Sequence, residues 1–214
     1  MDTVDGSGRT YGGLSRRERL VDRRGRLLDA ALDLVHEAGV VDLTVGAVCG
    51  KAALAKRYFY ESFDSLDQLL STALQEVFDR ISEVIDAVGT SGDTAPEQVM
   101  QIAIEGVLDS MDDPRIARLY LESAGNPALL ATRDAAVDRY VEQLLGLLVA
   151  EPVDDVGARM VAHLLVSGST HVVAMWLQGE LPMERDKFVQ RLVDVGSTAV
   201  AGLMRPEAST RNYS

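Results

Sequence analysis

The sequence predicts an all-α chain of about nine helices, a short three-helix unit followed by a larger helical part. Three observations predict it. Apolar residues recur at three- and four-residue spacing in every long segment. Helix punctuation bounds those segments: Ser15 with Glu18, Thr44, Pro96, Pro114 and Pro127 at starts, Gly39 and Gly89 at stops. No segment alternates apolar and polar residues as a half-buried strand does.

The elements follow in order. Residues 1–14 are polar and glycine-rich and predict a disordered arm. Ser15 and Glu18 make a capping box for a helix to Ala38, with Leu20, Leu27, Ala31, Leu34 and Val35 on one face. Gly39 stops it. Thr44 caps a short helix over 45–52, a break falls at Ala53 and Leu54, and a third short helix spans 55–61. Asp64 and Ser65 cap a fourth, whose stripe is Leu66, Leu69, Leu70, Ala73, Val77, Ile81, Val84 and Val88. After a loop over 90–93, Thr94, Pro96 and Glu97 open the fifth. Pro114 and Pro127 open the next two, and helices over 156–179 and 184–204 complete the set. The expected division is an arm over 1–14, a helix-turn-helix unit over 15–63, a larger helical part over 64–205, and a flexible tail over 206–214.

Composition narrows the function. The chain of 214 residues is 47% hydrophobic with a formal net charge of -12. The charge is uneven. Residues 14–60 carry nine Lys and Arg against six Asp and Glu, a net of +3, whereas residues 71–214 carry 11 against 22, a net of -11. An acidic total therefore leaves room for a polyanion partner at one end. The N-terminus lacks a basic segment leading into an apolar run, so no secretory signal is expected. No uninterrupted apolar stretch reaches the ~20 residues of a membrane span, so no membrane partner is expected. The lone Cys49 cannot close an internal disulfide and fits a cytoplasmic location. His36, His163 and His171 lie too far apart for a metal motif. Neither a phosphate-binding glycine loop nor a GxSxG elbow occurs, so no cofactor and no enzymatic role is expected.

The stretch KRYFYESF, residues 56–63, concentrates rings and positive charge. It lies on the second member of a short helix–turn–helix pair, the element that can enter a major groove. Phe59 and Phe63 are four apart, share a face, and are placed to bury against Leu27, Ala31, Leu34 and Val48. Lys56 and Arg57 can neutralise phosphates, and Arg57 can also bridge two acceptors on guanine. Tyr58, Tyr60 and Ser62 can donate to phosphate oxygens, and Thr44 offers a hydroxyl to the same anion. The same residues also fit a plain aromatic core with a solvated cationic face.

The run RLLDAALDLVHEAGVVDLTVGAVCGKAALAKRYFYESFDSLDQLL resembles the N-terminal domain of TetR-family transcriptional regulators. The specific matches are residues 27–31, Gly39, Thr44 with Val45, and Tyr60 followed by Phe63 with a fresh helix starting at once. The resemblance implies a DNA-contact set of Thr44, Lys56, Arg57, Tyr58, Tyr60 and Ser62. It also implies a homodimer on near-palindromic operator DNA and a small-molecule effector inside the C-terminal part that relieves binding, most often in a repressor. Three positions depart from the family pattern. Ala53 replaces the turn glycine, which would cost roughly 1 kcal/mol if the position is left-handed. Ala55 replaces a capping Ser or Thr, and Leu66 replaces a lysine. These departures leave open a degenerate helix-turn-helix protein acting through protein contacts. A small helical enzyme is the other alternative, and it would need a polar catalytic cluster in the later helices.

Those later helices carry broad apolar faces. In the helix over 156–179, Leu164, Gly168 and Val172 form a stripe, and the last helix repeats Phe188, Leu192, Val195 and Ala199 near seven-residue spacing. These residues are the expected dimer surface, with intrachain packing as the alternative. Tyr120, His163 and His171, with Met175 as an adaptable neighbour, are the expected effector-pocket residues.

Overall fold

A computed structural model describes residues 15–89, 95–148 and 156–203. Among these residues there are nine α-helices and no strand: α1 (Arg16–Ala38), α2 (Val45–Lys51), α3 (Lys56–Tyr60), α4 (Leu66–Gly89), α5 (Pro96–Ser110), α6 (Pro114–Glu122), α7 (Pro127–Leu148), α8 (Val156–Leu177) and α9 (Arg185–Leu203). A 3₁₀ turn over Ser123–Gly125, not foreseen, joins α6 to α7. The arm over 1–14, the 90–93 loop, Thr94 and the tail over 206–214 lie outside the described residues.

Local chemistry explains the boundaries. Ser15 and Glu18 form both halves of the capping box. Gly39 ends α1 at φ 95, and a Cβ there would also stand 3.1 Å from the Arg118 guanidinium and the Glu122 carboxylate. Glycine is therefore favoured by the left-handed backbone, and any other residue would also push these side-chain ends aside. Asp113 caps α6, and Asn126 Oδ1 accepts the N–H groups of Ala128 and Leu129 at the start of α7.

One buried cluster runs without a break from Leu27 on α1 to Ala136 on α7, taking in Phe59, Phe63, Leu69, Leu74 and Leu119. Among the stripe residues whose side chains are described, which exclude Val88, two fall outside it. Leu20 is 41% exposed because the first turns of α1 project past the packed helices, and Val84 is 42% exposed while Phe78, Ile81 and Ile85 take the inward positions of α4. A second, smaller cluster holds Leu108, Val173, Phe188, Val189 and Val193. Helix α8 packs chiefly on α7, and α9 chiefly on α5.

Helix α6 fastens the first two helices from outside. Arg115 Nη1 donates to Asp33 at 2.9 Å while its other nitrogens grip Asp113. Asp33 also faces Lys51 at the end of α2. The Arg115 hydrogen bonds hold the carboxyls of Asp33 and Asp113 below the usual carboxylate range. One turn on, Arg118 donates to the His36 carbonyl at 2.7 Å, and Glu122 accepts the Val40 N–H at 2.6 Å. Burial pushes the Glu122 carboxyl up, but Val40 and Arg118 outweigh it and the net shift is downward.

Candidate nucleic-acid interface

The turn between α2 and α3 is built on an alanine in a glycine's conformation. Ala53 has φ 51, the one non-glycine residue with positive φ among those described. The N–H of Leu54 reaches back to the Cys49 carbonyl at 2.9 Å and that of Ala53 to Gly50 at 3.2 Å. This is a Schellman cap with alanine at the left-handed position. Arg26 on α1 reinforces it, donating to the Ala52 carbonyl at 2.6 Å. The missing glycine has thus not changed the turn. It costs roughly 1 kcal/mol in a conformation that an added Cβ disfavours.

Helix α3 then presents its residues in two directions. Phe59 and Phe63 are 0% and 2% exposed and lie in the cluster with Leu27, Ala31 and Val48. Their ring centroids stand 6.0 Å apart. Lys56, Arg57 and Tyr60 point to solvent, Tyr60 being 60% exposed. Tyr58 is half-buried with Arg23 and Arg57 at 4.3 and 4.6 Å from its ring centre, and Arg57 also donates to its hydroxyl at 2.6 Å. The Ser62 hydroxyl is committed to the Tyr58 carbonyl at 3.0 Å, so it must rotate to meet a phosphate. Thr44 Oγ accepts the Ala47 N–H at 3.1 Å, and its own proton remains to donate. Ala55 caps α3 with no side-chain bond, and Leu66 packs partly buried against the core.

Three arginines of α1 complete this face, and sequence reasoning counted them only as charge. Arg23 stacks on Tyr58 and pairs with Glu61 at 3.6 Å. Arg24 lies 4.6 Å over Phe63 and donates to the Ser62 carbonyl at 3.3 Å. Arg26 holds the turn. Their spacing of one and three residues on a helix packed against α3 is the signal that could have found them.

The larger part of the chain encloses a cavity of about 490 Å³ bounded by α4, α5, α7, α8 and α9. That volume lies within the range of small-molecule sites. Ile85, Ala103, Val107, Leu165 and Leu192 are among its apolar walls, and Arg191 stands on its border. None of Tyr120, His163, His171 and Met175 lines it. Tyr120 is buried, its hydroxyl spent on the Thr170 carbonyl at 2.8 Å and its pKa raised by burial. His163 and Met175 are half-buried and His171 is exposed. Of the expected dimer residues, Leu164, Gly168 and Val195 face solvent, and Val172, Leu192 and Ala199 are half-buried. Phe188 is 2% exposed and stacked on Trp176, so it is spent inside its own chain.

No protein-family model matches the chain. It is 28% identical over 195 residues to the HTH-type transcriptional activator FasR of Mycolicibacterium smegmatis, covering 88% of each protein. A TetR-like transcriptional regulator from Rhodococcus sp. RHA1 superposes with a TM-score of 0.62 at 23% identity, over 89% of this chain and 98% of that one. A TetR-family regulator of Streptomyces coelicolor gives 0.65 at 19% identity, over 84% and 83%. The solved structures share the fold, and the curated relative shares the sequence through both the reading helices and the larger helical part. The chain thus has the fold of the TetR-like regulators and is similar in sequence to an HTH-type transcriptional activator.

Proposed function

We propose that the chain is a cytoplasmic, ligand-responsive repressor that binds near-palindromic operator DNA as a homodimer and is released by a small, largely apolar effector. Residues 15–63 form the reading unit, and residues 64–205 carry the effector and dimer surfaces. The observation that carries the reading is α3 itself. Two buried rings pin it down while Lys56, Arg57 and Tyr60 stay exposed on its outer face. Two copies of one such helix about 34 Å apart would read successive turns of one face of the duplex. The apolar cavity supports the effector half of the proposal, with its wall residues in place of the four polar candidates. No catalytic step is part of it. A second reading, activation, is favoured by the name of the 28% identical relative.

Gel-shift titration at stated salt tests it, with operator fragments first selected from genomic DNA. Lys56→Ala and Tyr60→Phe should each weaken binding by about tenfold, with helix content unchanged. Affinity should fall steeply with salt as counterions are released. Unchanged binding in both variants would remove α3 from DNA recognition. A promoter-reporter assay separates repression from activation.

A further inference from the structure

The turn that aims α3 lacks two of the devices that would hold it. Ala53 keeps a left-handed φ of 51, a conformation that its Cβ disfavours. Ala55 gives α3 no side-chain cap. A helix of five residues cannot supply the missing rigidity itself. Yet the turn keeps both of its reverse hydrogen bonds, from Leu54 N–H to Cys49 and from Ala53 N–H to Gly50. Something outside the turn must hold it.

Arg26 is placed to do so. Its Nη2 donates to the Ala52 carbonyl at 2.6 Å and to the Ala53 carbonyl at 3.5 Å. Those carbonyls belong to the peptide groups on either side of the Ala53 Cα. One guanidinium therefore restrains both soft dihedrals of the strained residue. Its charge suits the place, because the last carbonyls of α2 carry partial negative charge. Lys51, the basic residue in the last turn of α2, is spent on Glu37 and Asp33. The backbone of Arg26 is fixed by its neighbours Leu27 and Leu28, both buried, and Asp22 one turn earlier faces its Nη1 at 3.8 Å.

Helix α1 thus holds α3 at both ends. Arg24 donates to the Ser62 carbonyl beyond the C-terminal end at 3.3 Å, and Arg26 grips the turn before the N-terminal end. Phe59, between them, lies in the buried cluster with Leu27 and Ala31.

We propose that Arg26 is a positioning residue for DNA reading: it fixes the left-handed Ala53 and so sets the angle at which α3 meets the duplex. The inference rests on the DNA-binding reading above. It makes Arg26 and position 53 interdependent. With glycine at 53 the left-handed turn needs no brace, and Arg26 becomes dispensable. With alanine at 53 and no donor at 26, the turn relaxes and α3 tilts about its Phe59 anchor. Lys56, Arg57 and Tyr60 then lose their common register. Direct phosphate contact by Arg26 is the rival role. It makes the opposite prediction, since a glycine at 53 does not restore a lost phosphate contact.

The test is a double-mutant cycle on the full chain. Arg26→Met removes the donors and keeps much of the apolar stem, at a side chain that is 45% exposed, so the fold should survive. Wild type, Arg26→Met, Ala53→Gly and the double variant are titrated by gel shift against the genomic fragment that the wild type retains. Arg26→Met should weaken binding by about fivefold, and the double variant should bind within about twofold of Ala53→Gly. The slope of log affinity against log salt should be the same in all four, whereas a lost phosphate contact reduces it by about one. Amide hydrogen exchange of the free protein reads the turn without DNA. The Leu54 N–H should exchange about fivefold faster in Arg26→Met and return to the wild-type rate in the double variant. A purely structural role would lower the denaturation midpoint and leave affinity per folded molecule unchanged.

Wild-type affinity in Arg26→Met would overturn the proposal, as would a double variant as weak as Arg26→Met. A salt slope reduced by one would also overturn it, by making Arg26 a phosphate contact. Should the wild type retain no genomic fragment, the DNA-binding reading falls and this inference with it. Should it bind DNA while Leu54 exchange is indifferent to Arg26, only this inference falls.

Discussion

Around Phe59 the chain is packed solid, with Leu27, Ala31, Val48 and Phe59 itself all 0% exposed. Between α5, α8 and α9 it is hollow, and Ala103, Val107 and Leu192 border a cavity of about 490 Å³. Both regions are apolar, so hydrophobicity does not separate them. Their duties do. A reading helix of five residues cannot hold its own geometry and depends on the rings beneath it. A ligand-responsive region needs space and alternative packings. The α6 ion pairs lie between the two regions and tie α1 and α2 to the body of the chain.

The largest expected effect breaks the solid half. Phe59→Ala should cost about 3–5 kcal/mol, read by chemical denaturation, and abolish DNA binding with it. Next comes a matched pair that measures the difference directly. Ala31→Leu forces new atoms into a site with no room and should cost about 1–3 kcal/mol. Ala103→Leu has a cavity to enter and should change stability by no more than about 0.5 kcal/mol. Equal costs in the two variants would show that the hollow is not a hollow in solution.

Two caps sharpen the comparison at smaller scale. Gly179, at φ 78 after α8, and Ala53, at φ 51 after α2, occupy the same left-handed position. At both caps the N–H of the next residue, Glu180 or Leu54, reaches a carbonyl five residues back. Ala53→Gly should stabilise the chain by about 0.5–1 kcal/mol, and Gly179→Ala should cost a similar amount. Thermal midpoints of the two variants should move in opposite directions. If Ala53→Gly instead weakens operator binding, the strained alanine contributes stiffness that reading requires.

Much of the reading end was legible in the sequence because its determinants are local. Capping residues, a four-residue ring spacing and a fresh helix after Phe63 are all encoded within a few positions. The left-handed Ala53 was foreseeable as a conflict, and its support by Arg26, 27 residues away in sequence, was not. The cavity was less accessible for the same reason. Its wall is assembled from five helices, and periodicity indicates which face of a helix is apolar but not which neighbour fails to fill it. Polar residues on apolar helices, such as Tyr120 and His171, drew attention as ligand groups. Tyr120 instead satisfies a buried carbonyl, and His171 stands exposed on α8.

The smallest expected effect lies at the junction of the two halves. Asp33 and Asp113 have depressed carboxyl pKa values in the folded chain because Arg115 hydrogen-bonds both. A depressed carboxyl contributes stability that is present above its unfolded pKa of about 4 and lost as pH falls through the folded value. Both side chains are partly exposed, so the pairs are screened and Arg115→Gln should cost only about 0.5 kcal/mol at neutral pH. The gap between wild type and variant should then narrow as pH is lowered below about 4. A gap that stays constant would mean that Arg115 acts through packing of its stem rather than through charge. Its effect on DNA binding distinguishes a joint from a brace. If Arg115→Gln leaves operator affinity intact but blunts the response to an apolar effector, the α6 pairs carry the signal from the hollow half to the solid one.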